Sequence, residues 1–287
     1  MKPLTIASVL DRLDRAVDFC SRLGVGLRTS RFSKYRHRIA ELIECIEKGP
    51  DRLPRPHYEY VVPLCESAEF GEAIECLQKT DSRELKKKIK AAVKGPFYPI
   101  DENNVSNLAR NTLFELNFAA RIKRSGFQPL LGDRPDLSCR IGLKELLFEC
   151  KRPFKMDNVR TSIGDAAGQI RAGLLTRGLR SRGAICISLS KALNPGDKYI
   201  SAQNEASLRR GLQRQVLRVG TSELSNWRRH YRGDIIAVYF HTIAVAFVRE
   251  PGMFFVAQHT AGFGFAGSWD DRDLLRRLTD GLMRTHY

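Results

Sequence analysis

PDLSCRIGLKELLFECKRP, residues 135–153, reads as two short strands joined by a turn. Alternation along 145–152 puts Leu146, Phe148 and Cys150 on one face and Leu147, Glu149 and Lys151 on the other, so one face packs and the other presents charge. Asp136 stands at the start of the preceding strand, after Pro135. An Asp and a Glu from neighbouring strands can meet at such an edge. Two carboxylates in a partly dry site repel strongly unless a divalent cation lies between them. Oxygen ligands of this kind suit Mg²⁺, which keeps several waters and binds through few carboxylates plus substrate phosphate. Lys151 shares the face of Glu149, where its ammonium can steady an attacking water or the charge developing on a phosphate. Phosphodiester hydrolysis requires these parts together.

Outward from this stretch, the pattern from Val105 onward is mixed α/β. It predicts a helix over 105–125, strands near 127–131 and at 136–141 and 145–152, a helix over 159–178 and a strand at 184–190. Beyond lie an amphipathic helix at 204–219, strand-like runs at 234–241, 243–249 and 253–259, and a C-terminal helix at 271–284. A helical wheel of 105–125 groups Arg110, Asn117, Arg121 and Arg124 on one polar arc. Glu115 falls on the opposite side among Leu108, Ala119 and Ile122, where a lone carboxylate is costly to bury and needs a partner.

These residues resemble the PD-(D/E)XK nuclease superfamily, also called restriction-endonuclease-like. Pro135-Asp136 and Glu149-Cys150-Lys151 match its signature, and the predicted elements over roughly 105–190 match its αβββαβ core. The resemblance implies a restriction-endonuclease-like α/β domain over 99–287 with a C-terminal α/β extension, and a Mg²⁺-dependent nuclease activity in which Mn²⁺ substitutes. It further implies that Asp136 and Glu149 bind metal with help from the Cys150 carbonyl and from Glu115. Lys151 is then catalytic, and Gln169, on the second core helix, supports the site.

Residues 1–98 are expected to form a helical N-terminal domain, a surface for a second copy or a protein partner. Its helices are punctuated at Gly24, Gly49-Pro50, Asp81-Ser82 and Gly95-Pro96. Lys86-Lys87-Lys88 reads as a solvated helix face, with phosphate contact the alternative. The net charge of +16 is concentrated: residues 152–232 carry +11, a density that suits a polyanion such as nucleic acid, DNA ahead of RNA. Arg152 and Lys155, directly after the charged strand, and the stripe Arg210, Arg214 and Arg218 are the expected phosphate contacts. Trp227, Tyr231 and Trp269 are candidates for base stacking, with core packing the alternative.

No run approaches the ~18 apolar residues of a membrane span, and no signal segment is visible. Seven cysteines, odd in number and never spaced Cys-x-x-Cys, read as buried thiols of a reducing cytoplasm. The glycine-rich GFGFAG at 262–267 lacks room for a following helix and strand and reads as a turn. Asp270, Asp271 and Asp273 read as the cap of the last helix.

Overall fold

A computed structural model describes residues 3–47, 56–80, 82–102, 107–177, 181–230, 234–264 and 268–284. The chain is mixed α/β. It opens with a two-residue strand, β1 (Leu4–Thr5), and helix α1 (Ile6–Arg22), whose first turn is capped by the Thr5 hydroxyl accepting the Ser8 N–H at 3.2 Å. Ile6, Val9, Leu13, Ala16 and Cys20 form its buried stripe, and Gly24, at φ +66°, supplies the left-handed stop expected of it. Helices α2 (Arg31–Glu47), α3 (Tyr58–Leu77) and α4 (Ser82–Ala92) follow, then a 3₁₀ turn at Pro99–Asp101 and helix α5 (Leu108–Arg124). The Gly49-Pro50 stop lies outside the described residues.

Strands β2 (Pro129–Leu131), β3 (Leu137–Ile141) and β4 (Lys144–Lys151) form an antiparallel meander. Its β3–β4 turn is tight because Ile141 pairs with Lys144 and Gly142 adopts φ +63°, a geometry open to glycine. Helix α6 (Asp157–Leu174) crosses over to β5 (Ser181–Ser188), parallel to β4. Short α7 (Ser190–Leu193) and β6 (Ile200–Ala202) lead to α8 (Glu205–Ser222) and α9 (Leu224–Arg228). The long strands β7 (Ile235–Val248) and β8 (Met253–Gly264) precede α10 (Trp269–Arg284). The eight strands make one mixed sheet in the order β1-β8-β7-β5-β4-β3-β2, with β6 pairing β7 off that path.

The two sheet faces are covered differently. On one, Phe118 of α5 meets Phe148 and Tyr239, with ring centroids 5.7 and 5.9 Å away, and α1–α4 pack behind α5 in the same continuous core. On the other, α6 and α8 bury Ile163, Ile170, Val216 and Val219 against Ile185, Ile187, Val238 and Phe240. The change of element type near residue 98 is therefore not a break in the core, and β1 ties the N-terminal helices into the sheet beside β8. At Gly183 a Cβ would stand 2.2 Å from Ile170 Cγ2, so glycine is what lets α6 approach β5.

Several expectations change. The runs at 234–241 and 243–249 are one fourteen-residue strand. His241 and Thr242, which look like a polar break, are buried, and His241 Nδ1 lies 3.0 Å from Thr260 Oγ1 across the ladder. Residues 262–264 of the glycine-rich segment continue β8, and 265–267 lie outside the described residues. Asp271 is buried rather than a simple cap: Lys144 and Arg182 hold it at 2.8 and 2.9 Å, while the Ser268 hydroxyl accepts its N–H. All seven cysteines are free thiols, four of them buried.

Candidate active site

The β3–β4 register brings Leu137 opposite Phe148, so Asp136 arrives beside Glu149. Its Oδ2 accepts the Cys150 N–H at 2.8 Å, which sets its carboxyl beside that of Glu149. Glu149 is only 2% exposed. Burial, reinforced by the charge of Asp136, pushes its pKa up to about 8 against the pull of Lys151, whose Nζ lies 3.6 Å away. Lys151 Nζ in turn donates to Oε1 of Gln169, the exposed residue that α6 presents over β4. Glu115 comes from α5 and is buried. Its pKa is pushed up to about 7 by burial and by Asp136, in spite of its ion pair with Lys88. Asp136, Glu149, Lys151, Gln169 and Glu115 are thus neighbours drawn from four elements or their edges. Cys150 contributes its amide to Asp136, while its side chain is buried and the residue pairs with Cys186 across the β4–β5 ladder.

Lys88 was not expected here, and it corrects the solvated reading of the lysine run. It is 7% exposed, because it falls on the α4 face that buries Leu85, Ile89 and Ala92. Spacing of i, i+3, i+4 and i+7 for Leu85, Lys88, Ile89 and Ala92 is the signal that could have found it.

The polar arc of α5 is a second correction, since it faces protein and not solvent. Arg110, Asn117 and Arg121 are buried against Glu66, Glu69 and Glu72, which α3 presents at three-residue intervals. Glu66 bridges Arg31 at 2.7 Å and Arg110; burial raises its pKa, but Arg110 and Arg31 outweigh that and hold it at about 2. Glu72 receives Arg124 at 2.6 Å and Asn117 at 3.2 Å. Glu69 lacks so strong a partner: His241 Nε2 stands 3.6 Å away, and burial pushes its pKa up to about 7 against Arg152.

The expected phosphate contacts do not join the cluster. Arg152 turns toward Glu102 at 3.5 Å and lies over the Phe154 ring, half-buried. Lys155 is exposed beside Tyr58, Tyr98 and Phe154 in a separate groove. Arg210, Arg214 and Arg218 do form an exposed stripe opposite buried Leu208, Leu212, Val216 and Val219, but α8 packs on β7 and β8, beyond β5 from the carboxylates. Trp227 is core, at 2% exposure; Tyr231 and the Trp269 side chain lie outside the described residues.

Among the described residues no group of three His, Cys, Asp or Glu side chains stands arranged to grip a cation as it is. Lys88 and Lys151 each hold one of the carboxylates. The donor chemistry nonetheless fits Mg²⁺: Asp136 and Glu149 stand side by side across the β3–β4 edge, and Glu149, raised to about 8, holds a proton near neutrality that a hard cation would displace. Among the described residues no helix is long and apolar enough to cross a membrane. In comparisons with family models, curated proteins and solved structures, nothing matches this chain.

Proposed function

We propose that the chain is a Mg²⁺-dependent phosphodiesterase acting on nucleic acid, DNA ahead of RNA, built on a restriction-endonuclease-like αβββαβ core. The observation that carries this reading is the meeting of Asp136, Glu149 and Glu115 with Lys151 at the end of a strand parallel to its neighbour. The element order from α5 to β5 supports the fold assignment.

In this reading Asp136 and Glu149 hold the cation, with Glu115 and the Cys150 carbonyl in support. A bound Mg²⁺, or Mn²⁺ in its place, supplies an acidified water and neutralises charge on the scissile phosphate. The protein's own part follows from its geometry. Lys151 places an ammonium on the Glu149 face, where it donates to a non-bridging phosphate oxygen and stabilises the charge that builds there. Gln169 fixes the Lys151 Nζ from α6 and so sets its direction. Asp136 is itself fixed by the Cys150 amide, which leaves its second oxygen available.

A second reading, a non-catalytic nucleic-acid-binding protein that retains this fold, is favoured by one observation: Lys88 already neutralises Glu115 within the cluster. Incubating the protein with single- and double-stranded DNA and RNA, with Mg²⁺, Mn²⁺ or EDTA, separates the two. Metal-dependent cleavage of any of them supports the nuclease. Binding without cleavage under every metal condition supports the alternative.

A further inference from the structure

Helix α4 has two working faces. Its inner face buries Leu85, Lys88 and Ile89, its outer face carries Lys86, Lys87 and Lys90 with Arg83 at its start, and Lys94 follows two residues past its end. These cations line a groove of about 640 Å³ whose far wall is Leu108 and Ala109, at the first turn of α5. Among the described residues no acidic side chain lines it. Among the described residues Lys87 pairs with Asp133, at 2.5 Å, whereas Lys86, Lys90 and Lys94 make no ion pair. The first turn of seventeen-residue α5 adds the positive end of a helix dipole to the same wall. Leu108, 60% exposed, offers an apolar surface beside the charge.

The groove and the carboxylate cluster are joined through consecutive residues. Lys87 lines the groove and reaches Asp133, three residues before Asp136; Lys88, next in sequence, reaches Glu115. From Arg83 to Lys90 the helix advances seven positions, about 10 Å at ~1.5 Å per helical residue, a run equal to roughly three nucleotides at ~3.4 Å each, with Lys94 beyond it.

The geometry points to the α4 groove as the track along which a nucleic-acid backbone is held and led to the Asp136–Glu149 cluster. This rests on the nuclease reading for what happens at the end of the track, but not for the binding itself. A row of lysines, of which Lys86, Lys90 and Lys94 make no ion pair among the described residues, facing the Leu108–Ala109 wall matches a row of phosphates. The concave form, with an apolar wall at Leu108, suits a strand with sugars and bases better than a flat anionic lipid surface. The α8 stripe, carried on β7 and β8, has no comparable connection to the cluster.

The test is fluorescence anisotropy with labelled single- and double-stranded 20-mers in EDTA, between 50 and 200 mM salt. It compares the wild type, K86Q/K90Q/K94Q, and R210Q/R214Q/R218Q. The α4 triple is expected to lose about tenfold in affinity or more. The slope of log K against log salt is expected to shrink by about 2 to 3, one released counterion per lost phosphate contact. K86R/K90R/K94R keeps the charge and is expected to bind like the wild type, which covers the case of a glutamine triple that fails to fold. Three results would overturn the assignment: an unchanged slope in the α4 glutamine triple, an equal loss from the α8 triple, which marks a net-charge effect, or binding to phosphatidylserine vesicles with no binding to either oligonucleotide. Metal-dependent cleavage is scored separately, so a track without cleavage leaves the groove standing and removes only the nuclease.

Discussion

The Asp136 carboxylate accepts the Cys150 N–H at 2.8 Å, which fastens the start of β3 to the end of β4. The same carboxylate is the principal charge raising the pKa of Glu149 after burial itself. Asp136→Ala is therefore expected to do two opposite things: weaken the hairpin by about 1–3 kcal/mol, the worth of a hydrogen bond to a charged group, and bring the Glu149 pKa down. Urea unfolding reads the first effect, and carboxyl NMR titration of Glu149 the second. A Glu149 pKa that stays near 8 would show burial acting alone.

Lys151→Ala is expected to abolish cleavage while leaving most nucleic-acid affinity intact, because binding is spread over many phosphates and the chemistry over one cluster. Gln169→Leu, which removes the acceptor for Lys151 Nζ, is expected to lower the cleavage rate less, by about tenfold to a hundredfold, with affinity unchanged. Single-turnover cleavage beside an anisotropy titration separates the two quantities. Full activity in Lys151→Ala would remove the proposed mechanism.

Glu69 should give stability a pH dependence of definite sign. Its pKa rises from 4.5 to about 7 on folding, so between those values the folded state holds more protons than the unfolded one. The contribution is fully present below pH 4.5 and is lost as pH rises through 7, a change on the order of 3 kcal/mol. Arg152 and Arg121 pull the Glu69 pKa down while Glu66 and Glu72 push it up, and His241 Nε2 stands 3.6 Å away. Glu69→Gln is expected to flatten the fall between pH 5 and 8 and to raise stability at pH 8. Denaturant titrations at both pH values decide it, and an unchanged slope would place the charge of Glu69 on a stronger partner than His241.

Arg110 sits between Glu66 and Glu102, all three buried side chains. Arg110→Ala leaves two carboxylates without a shared partner and is expected to cost about 3–5 kcal/mol. Arg36→Ala, which breaks an exposed pair with Asp14, is expected to cost under about 1 kcal/mol. Thermal or urea unfolding of both variants checks the contrast.

The hairpin at 135–151 was legible because period-two alternation and a glycine turn are local signals, and the carboxylates and lysine on it followed directly. Helix α3 was only half legible. Its sequence from Tyr58 includes Pro63 and is buried on nearly every side, so no amphipathic stripe announces it. The roles of Glu66, Glu69 and Glu72 depend on an α5 surface some 40 residues further on, and Lys88 on Glu115, pairings that no local pattern encodes. The merging of two runs into β7 likewise rests on Thr260, which makes a central histidine tolerable within the strand.

Strand β1 consists of two residues, yet it sets a timetable for the chain. Leu4 pairs with Val256 and Thr5 with Phe255, so this segment has its partner about 250 residues later in the chain. At synthesis rates of ~5–20 residues per second, those residues wait on the order of 10 to 50 seconds for the strand that receives them. The helices of the N-terminal third can form during that interval, but the sheet edge they belong to cannot close. Closure of this sheet edge therefore waits on the synthesis of β8, a contact of long sequence separation.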